Sequence, residues 1–149
     1  MSAYELDQLI SHRPPMILLS RFFTADETSA CCEVDVDDSS LLYQQELNGV
    51  PSYAGLEYMA QTIACFAGAQ ALADGTDVKI GFLLGSRKYE PCVPVFLCGW
   101  TLRVTAEKVV MEESGLSVFA CKIFHQDQLL VQANVNVFQP DNVSEWLKE

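Results

Sequence analysis

The stretch GVPSYAGLEYMAQTIACFAG, residues 49–68, is nearly free of charge and carries one carboxylate, Glu57. In so apolar a run, that group either reaches water or is buried with a partner. Burial without a partner is costly and shifts a carboxyl's pKa. A carboxyl shifted in this way can take up or hand over a proton near neutral pH, the work of a general acid or base. Gln61 lies four residues on, so a helix puts it on the same face, able to hydrogen-bond the carboxylate or nearby backbone. Nucleophilic and metal chemistry are less well served. The cysteines are Cys31, Cys32, Cys65, Cys92, Cys98 and Cys121, and no pair of them has metal-ligand spacing. A cysteine nucleophile wants a histidine nearby, and the chain has only two, His12 and His125. The thiols read as reduced and buried in a cytoplasmic protein. His125, at a strand end beside a turn, reads as exposed.

The bulk composition narrows the class. The chain has 149 residues, fitting one domain over residues 1–149, and its 50% apolar content can bury a real core. Nine basic against 20 acidic residues give a net charge of −11, which argues against a nucleic-acid binder. The longest apolar run, residues 56–73, opens with a Glu-Tyr pair after its leucine and is rich in Ala and Gly. It reads as a buried helix rather than a membrane span. The N-terminal MSAYELDQLISHRPP lacks the basic start and apolar stretch of a signal peptide. No metal or other cofactor is expected.

Spacing then places the elements that must hold Glu57. Residues 3–11 predict a short helix, ended by the prolines of RPP at 13–15. MILLSRFFTA reads as a buried strand, DETS as a turn and ACCEVDVD as a second strand with its acidic residues alternating outward. Residues 37–54 read as a loop, with Ser52 as an N-cap. A helix follows over residues 53–73, apolar around most of its circumference and stopped near Gly75. VKIGFLLGS is a short strand, and residues 94–112 read as one long bent strand. LSVFACKIFH and LLVQANVNVFQ complete the set, the last with Val131, Ala133, Val135 and Val137 on one face. One buried helix among five or six antiparallel strands is an α+β arrangement, a curved sheet wrapped around a helix, the hot-dog fold. A domain this small leaves a sheet edge uncovered, so a dimer is expected.

Three segments resemble one family. LISHRPPMILLSRF is similar to the N-terminal LPHRYPFLLVDR pattern of beta-hydroxyacyl-acyl-carrier-protein dehydratases, VPSYAGLEYMAQ to their central-helix FPGVLILEAMAQ, and GSRKYEPCVPVF to their KARFRRPVVPGD. The matches keep the family's order over residues 9–96 and look most like the aryl-polyene-type subgroup. The resemblance implies loss of water from a 3-hydroxyacyl thioester on acyl carrier protein, giving a trans-2-enoyl thioester in fatty-acid-like or polyene lipid biosynthesis. It also implies a dimer in which one His and one Glu from opposite subunits transfer the protons. Glu57 falls on that Glu. A helix N-terminus favours its charged form and an apolar tunnel its protonated form; the sequence leaves both open. Gln61 matches the family's Gln. Ser52 matches a glycine, and its amide with those of Tyr53 and Ala54 could hold the thioester oxygen. Arg87 and Lys88 match a basic segment near the tunnel mouth, where a local positive patch, joined by Arg13 and Arg21, could receive the acidic carrier protein. Met59, Phe66, Phe82, Leu83 and Leu84 could line the acyl tunnel, or simply pack the core.

The departure from the family is its histidine. Counted back from Pro51-Ser52, that position is Tyr43, and no histidine lies between residues 13 and 124. Three sources of the base stay open: His12; Tyr43, or Glu57 acting alone or with water; and a related subunit of a heterodimer. Two other functions compete with dehydration: a non-catalytic or acyl-binding partner of an active dehydratase, and an acyl thioesterase in which Glu57 activates water.

Overall fold

A computed structural model describes residues 5–9, 17–75, 82–111 and 114–138. The elements run α1 (Leu6–Leu9), β1 (Arg21–Ala25), β2 (Ser29–Asp35), β3 (Gly49–Pro51), α2 (Gly55–Ala73), β4 (Phe82–Arg87), β5 (Val95–Leu97), β6 (Thr101–Met111), β7 (Leu116–His125) and β8 (Gln128–Phe138). Six strands form one sheet in the order β1-β2-β6-β7-β8-β4, and β3 pairs with β5 in a separate two-stranded sheet. Every pairing is antiparallel. This is the hot-dog fold, with α2 lying in the hollow of the curved sheet.

The alternation that defines the strands also builds the core. In β2, Ala30, Cys32 and Val34 are buried; opposite them in β6 lie Leu102, Val104 and Ala106. Phe119, Cys121 and Ile123 of β7 continue the layer, as do Val131, Ala133 and Val135 of β8. Helix α2 answers with Tyr58, Met59, Ile63, Cys65 and Phe66, and the Phe66 ring meets Phe119 edge-on at 5.5 Å. Burying a side chain of that size stabilises the fold by about 1.5–3 kcal/mol. On its other side α2 carries Gly68, where a Cβ would strike the Leu9 carbonyl, so α1 rests directly on the helix backbone. Met59 and Phe66 are thus core residues; the side chains of Phe82, Leu83 and Leu84 lie outside those described. Among the described residues, no helix is long and apolar enough to cross a membrane.

Four expectations are corrected. The buried strand expected over MILLSRFFTA is only β1, Arg21–Ala25, and it lies largely exposed, with Phe23 facing solvent. The strand expected over residues 94–112 is two strands, because Gly99 takes φ +95° and turns the chain between β5 and β6. The freed β5 pairs with β3, inside the segment expected to be a loop. The 53–73 helix is preceded by a 3-10 turn, Ser52–Ala54, and α2 itself begins at Gly55.

Outward-facing acids of β2 are paired as well as solvated. Arg21 grips Asp35 through two bonds of 2.7 and 2.8 Å and Glu33 through one of 2.9 Å. Arg21 therefore spends its charge locally and is not a loose cation for an acidic partner. The guanidinium holds the Asp35 carboxyl below its ordinary range. A depressed carboxyl stabilises the fold above its unfolded pKa of about 3.9 and loses that contribution as pH falls through the lower folded value. We expect stability from this cluster to be flat above about pH 5 and to decline below about pH 4. Because the pair is exposed, Arg21→Ala should cost no more than about 1 kcal/mol. Urea melts of both forms at several pH values check this; a variant gap that widens on acidification would contradict it.

Candidate active site

The first turn of α2 gathers the site. Glu57 is half-buried there, and Gln61, wholly buried, donates from Nε2 to Glu57 Oε1 at 3.2 Å. The same Gln61 accepts the Leu18 amide on Oε1 at 2.9 Å, which assigns its amide orientation. One side chain therefore ties the segment entering β1 to the carboxylate. The i, i+4 spacing seen in the sequence is realised, and Gln61 contacts the acid directly.

The helix entry is held from outside the helix. The residue before it, Ala54, offers no side-chain cap, and Ser52 lies inside the 3-10 turn, whose own capping position is Pro51. Ser52 is 5% exposed, and its amide donates to the Pro94 carbonyl at 3.0 Å. Its carbonyl accepts the Tyr89 hydroxyl at 2.6 Å. The reading of Ser52 as an N-cap is thus replaced by a backbone clamp, and its amide already has a partner. Ala54 is buried, whereas Tyr53 is 64% exposed and projects its ring at the surface beside the turn. Nothing in the sequence marks Tyr89 for this role, since a tyrosine between Lys88 and Glu90 carries no sign that it turns inward.

Other candidates separate from this centre. Tyr43 packs partly on the core, and its hydroxyl bonds Asn48 Oδ1 at 3.4 Å rather than Glu57. His12 and Arg13 lie outside the described residues. His125, expected exposed, is half-buried and stacks on Trp100 with ring centres 4.2 Å apart. Arg87 ends β4 opposite Asn134, and its side chain lies outside those described. Lys88 is exposed and shares a shallow depression of about 590 Å³ with Lys122 and Glu90 on the outer face of the sheet. A second hollow, of about 300 Å³, is lined by Ile17, Leu18, Leu42 and Tyr58 among others. Neither Glu57 nor Gln61 lines this hollow, although Leu18, which bonds Gln61, does.

Three of the thiols are poor nucleophiles. Cys65 touches Cys32 in the core and is held strongly protonated, while burial pushes Cys121 up to about 12 and Cys31 up to about 11. All six cysteines are free; Cys32, Cys65 and Cys121 are buried, and Cys92 is exposed. Among the described residues, no group of three His, Cys, Asp or Glu side chains is placed to hold a metal ion.

Comparison with known proteins decides the family. The family model for ApeP-like proteins, described as ApeP dehydratase, matches residues 4–148. The chain belongs to the ApeP-like dehydratase family. Among solved structures it is similar to the dehydratase heterocomplex ApeI:P from Xenorhabdus doucetiae, with TM-score 0.90 and 24% identity over 99% of this chain and 97% of that one. More distant likeness extends to the PaaI protein of the phenylacetic acid degradation operon of E. coli, with TM-score 0.61 and 13% identity over 79% and 81% of the two chains. A thioesterase of Staphylococcus aureus has TM-score 0.61 and 18% identity over 80% and 91%. No curated protein gives a significant match. Membership in the ApeP-like family fits the variant helix motif GLEYMAQ, residues 55–61, and makes a dehydratase the shared chemistry.

Proposed function

We propose that this chain dehydrates a 3-hydroxyacyl thioester carried on acyl carrier protein, working beside a related hot-dog subunit. The observation that carries the reading is Glu57 at the first turn of α2, half-buried and bound by a wholly buried glutamine. Elimination needs a base for the α-proton and an acid for the departing hydroxyl. As the α-proton leaves, its electron pair forms the double bond and the hydroxyl departs with a proton as water. Glu57 supplies or receives one of those protons. The other falls to His12, to Tyr43 or to the partner. The partner is favoured because Tyr43 is engaged with Asn48 and the similar ApeI:P structure is a dehydratase heterocomplex. The pathway is of the fatty-acid or aryl-polyene type, and the setting is cytoplasmic.

The test is direct. The chain, alone and mixed with a related hot-dog subunit, is given a 3-hydroxyacyl-carrier substrate. Enoyl product is expected, and most of it only with the partner present. Free acid would instead establish the thioesterase reading. No product in either mixture would leave a non-catalytic subunit.

Carrier docking is assigned to Arg87 and Lys88, the only adjacent basic pair of the chain. Reversing both to Glu should weaken carrier binding by about tenfold at low salt and flatten its salt dependence. Binding titrations at two ionic strengths read the effect, and an unchanged affinity at both would remove the patch from docking.

A further inference from the structure

Lys88 follows the last residue of β4 and takes φ +56°, a left-handed conformation that non-glycine residues seldom adopt. That turn redirects the chain, and Tyr89 folds inward onto the start of α2. Its hydroxyl donates to the Ser52 carbonyl at 2.6 Å. Its oxygen lies so close to Gly55 that a Cβ there would collide with it. The amides of Gly55 and Leu56 face the same oxygen, and Gly55 also bonds within the 3-10 turn. The first amides of a helix have no partner within it, and here the bond from Tyr89 to the Ser52 carbonyl, spanning 37 positions, brings the phenol oxygen beside them. Five residues beyond Tyr89, Pro94 takes the Ser52 amide at 3.0 Å, so one segment grips Ser52 by both its backbone groups.

We propose that Tyr89 is the positioning residue of the site: it bolts the entry turn of α2 to the segment after β4 and so fixes the carboxylate of Glu57 one helical step away. Two consequences follow from the geometry. The phenol oxygen sits against the Gly55 and Leu56 amides, and the Gly55 N–H already bonds the Ser52 and Tyr53 carbonyls, so a thioester oxygen reaches them only by displacing the phenol. Gly55 is fixed as glycine because any side chain would expel that phenol. The proposal rests on the dehydratase reading above, and its test separates the two.

The experiment compares Tyr89→Phe with the parent chain in the full assembly, alone and combined with Glu57→Gln. The phenylalanine keeps the ring and removes the oxygen. A displaced catalytic group commonly loses much of its rate, so kcat should fall by about tenfold or more while KM stays within about twofold. Because Tyr89 acts through Glu57, the residual rate of Glu57→Gln should be lowered no further by the second change. Hydrogen exchange at the Leu56 amide should speed up at least about tenfold, with the β7 amides unchanged as the control for global unfolding. An unaltered kcat, or losses that simply multiply, overturns the positioning role. If the parent assembly makes no enoyl thioester, the functional reading fails on its own. Tyr89 is then judged by Leu56 exchange alone, and an unchanged rate there overturns the bolt.

Discussion

Replacing Glu57 with Gln should cut formation of the enoyl thioester by about 10²–10⁴-fold, the range expected when a positioned proton-transfer group is lost. The substitution keeps size and shape, and its side-chain oxygen can still accept from Gln61 Nε2, which bonds Glu57 at 3.2 Å in the native chain. The fold is therefore expected to survive with little change in Tm. What disappears is the capacity to carry a proton between solvent, substrate and leaving hydroxyl. Product analysis by mass spectrometry, alongside a thermal melt, checks both halves. Undiminished turnover in a folded variant would remove Glu57 from the chemistry and leave the chain a supporting role.

Gln61→Leu should damage stability and activity together. The native side chain is wholly buried and bridges the Leu18 amide and the Glu57 carboxylate. Leucine fills similar volume but offers no acceptor and no donor. The Leu18 amide would be stranded in a part-buried place, and an orphaned donor of this kind costs about 1–3 kcal/mol. The carboxylate would lose a donor at the same moment, so turnover should drop at least about tenfold beyond what partial unfolding explains. Denaturant titration gives the first quantity, and kcat measured well below the melting range gives the second. A leucine variant as stable and active as the parent would mean that the bridge contributes nothing.

What the sequence made legible follows from how local each signal is. The alternation of Val131, Ala133 and Val135 fixes a buried strand face by period alone, and these residues are buried as expected. Helix α2 announces itself by length and composition, and the Glu57–Gln61 pair follows from helical spacing. The strands β3 and β5 are three residues each, and β3 ends on a proline, so neither carries a periodic signal. Their pairing depends on the reversal at Gly99. Tyr89 was hidden for a similar reason. Its inward path depends on the left-handed Lys88, and its contact with Ser52 spans 37 positions. Arg21 looked like a free surface cation because its partners, Glu33 and Asp35, come into reach only when β1 and β2 pair. The histidine question stays tied to His12, outside the described residues, and to a second subunit.

Everything functional depends on a carboxyl group meeting a thioester-bound acyl chain at the start of α2. A structure of the complete assembly bound to a non-reacting 3-hydroxyacyl pantetheine analogue measures that most directly. The analogue's hydroxyl or α-carbon is expected within hydrogen-bonding or van der Waals reach of the Glu57 carboxyl, with the acyl chain running alongside α2. An analogue seated elsewhere, with Glu57 turned towards bulk water, would contradict the assignment and leave this chain a hot-dog subunit without a catalytic role.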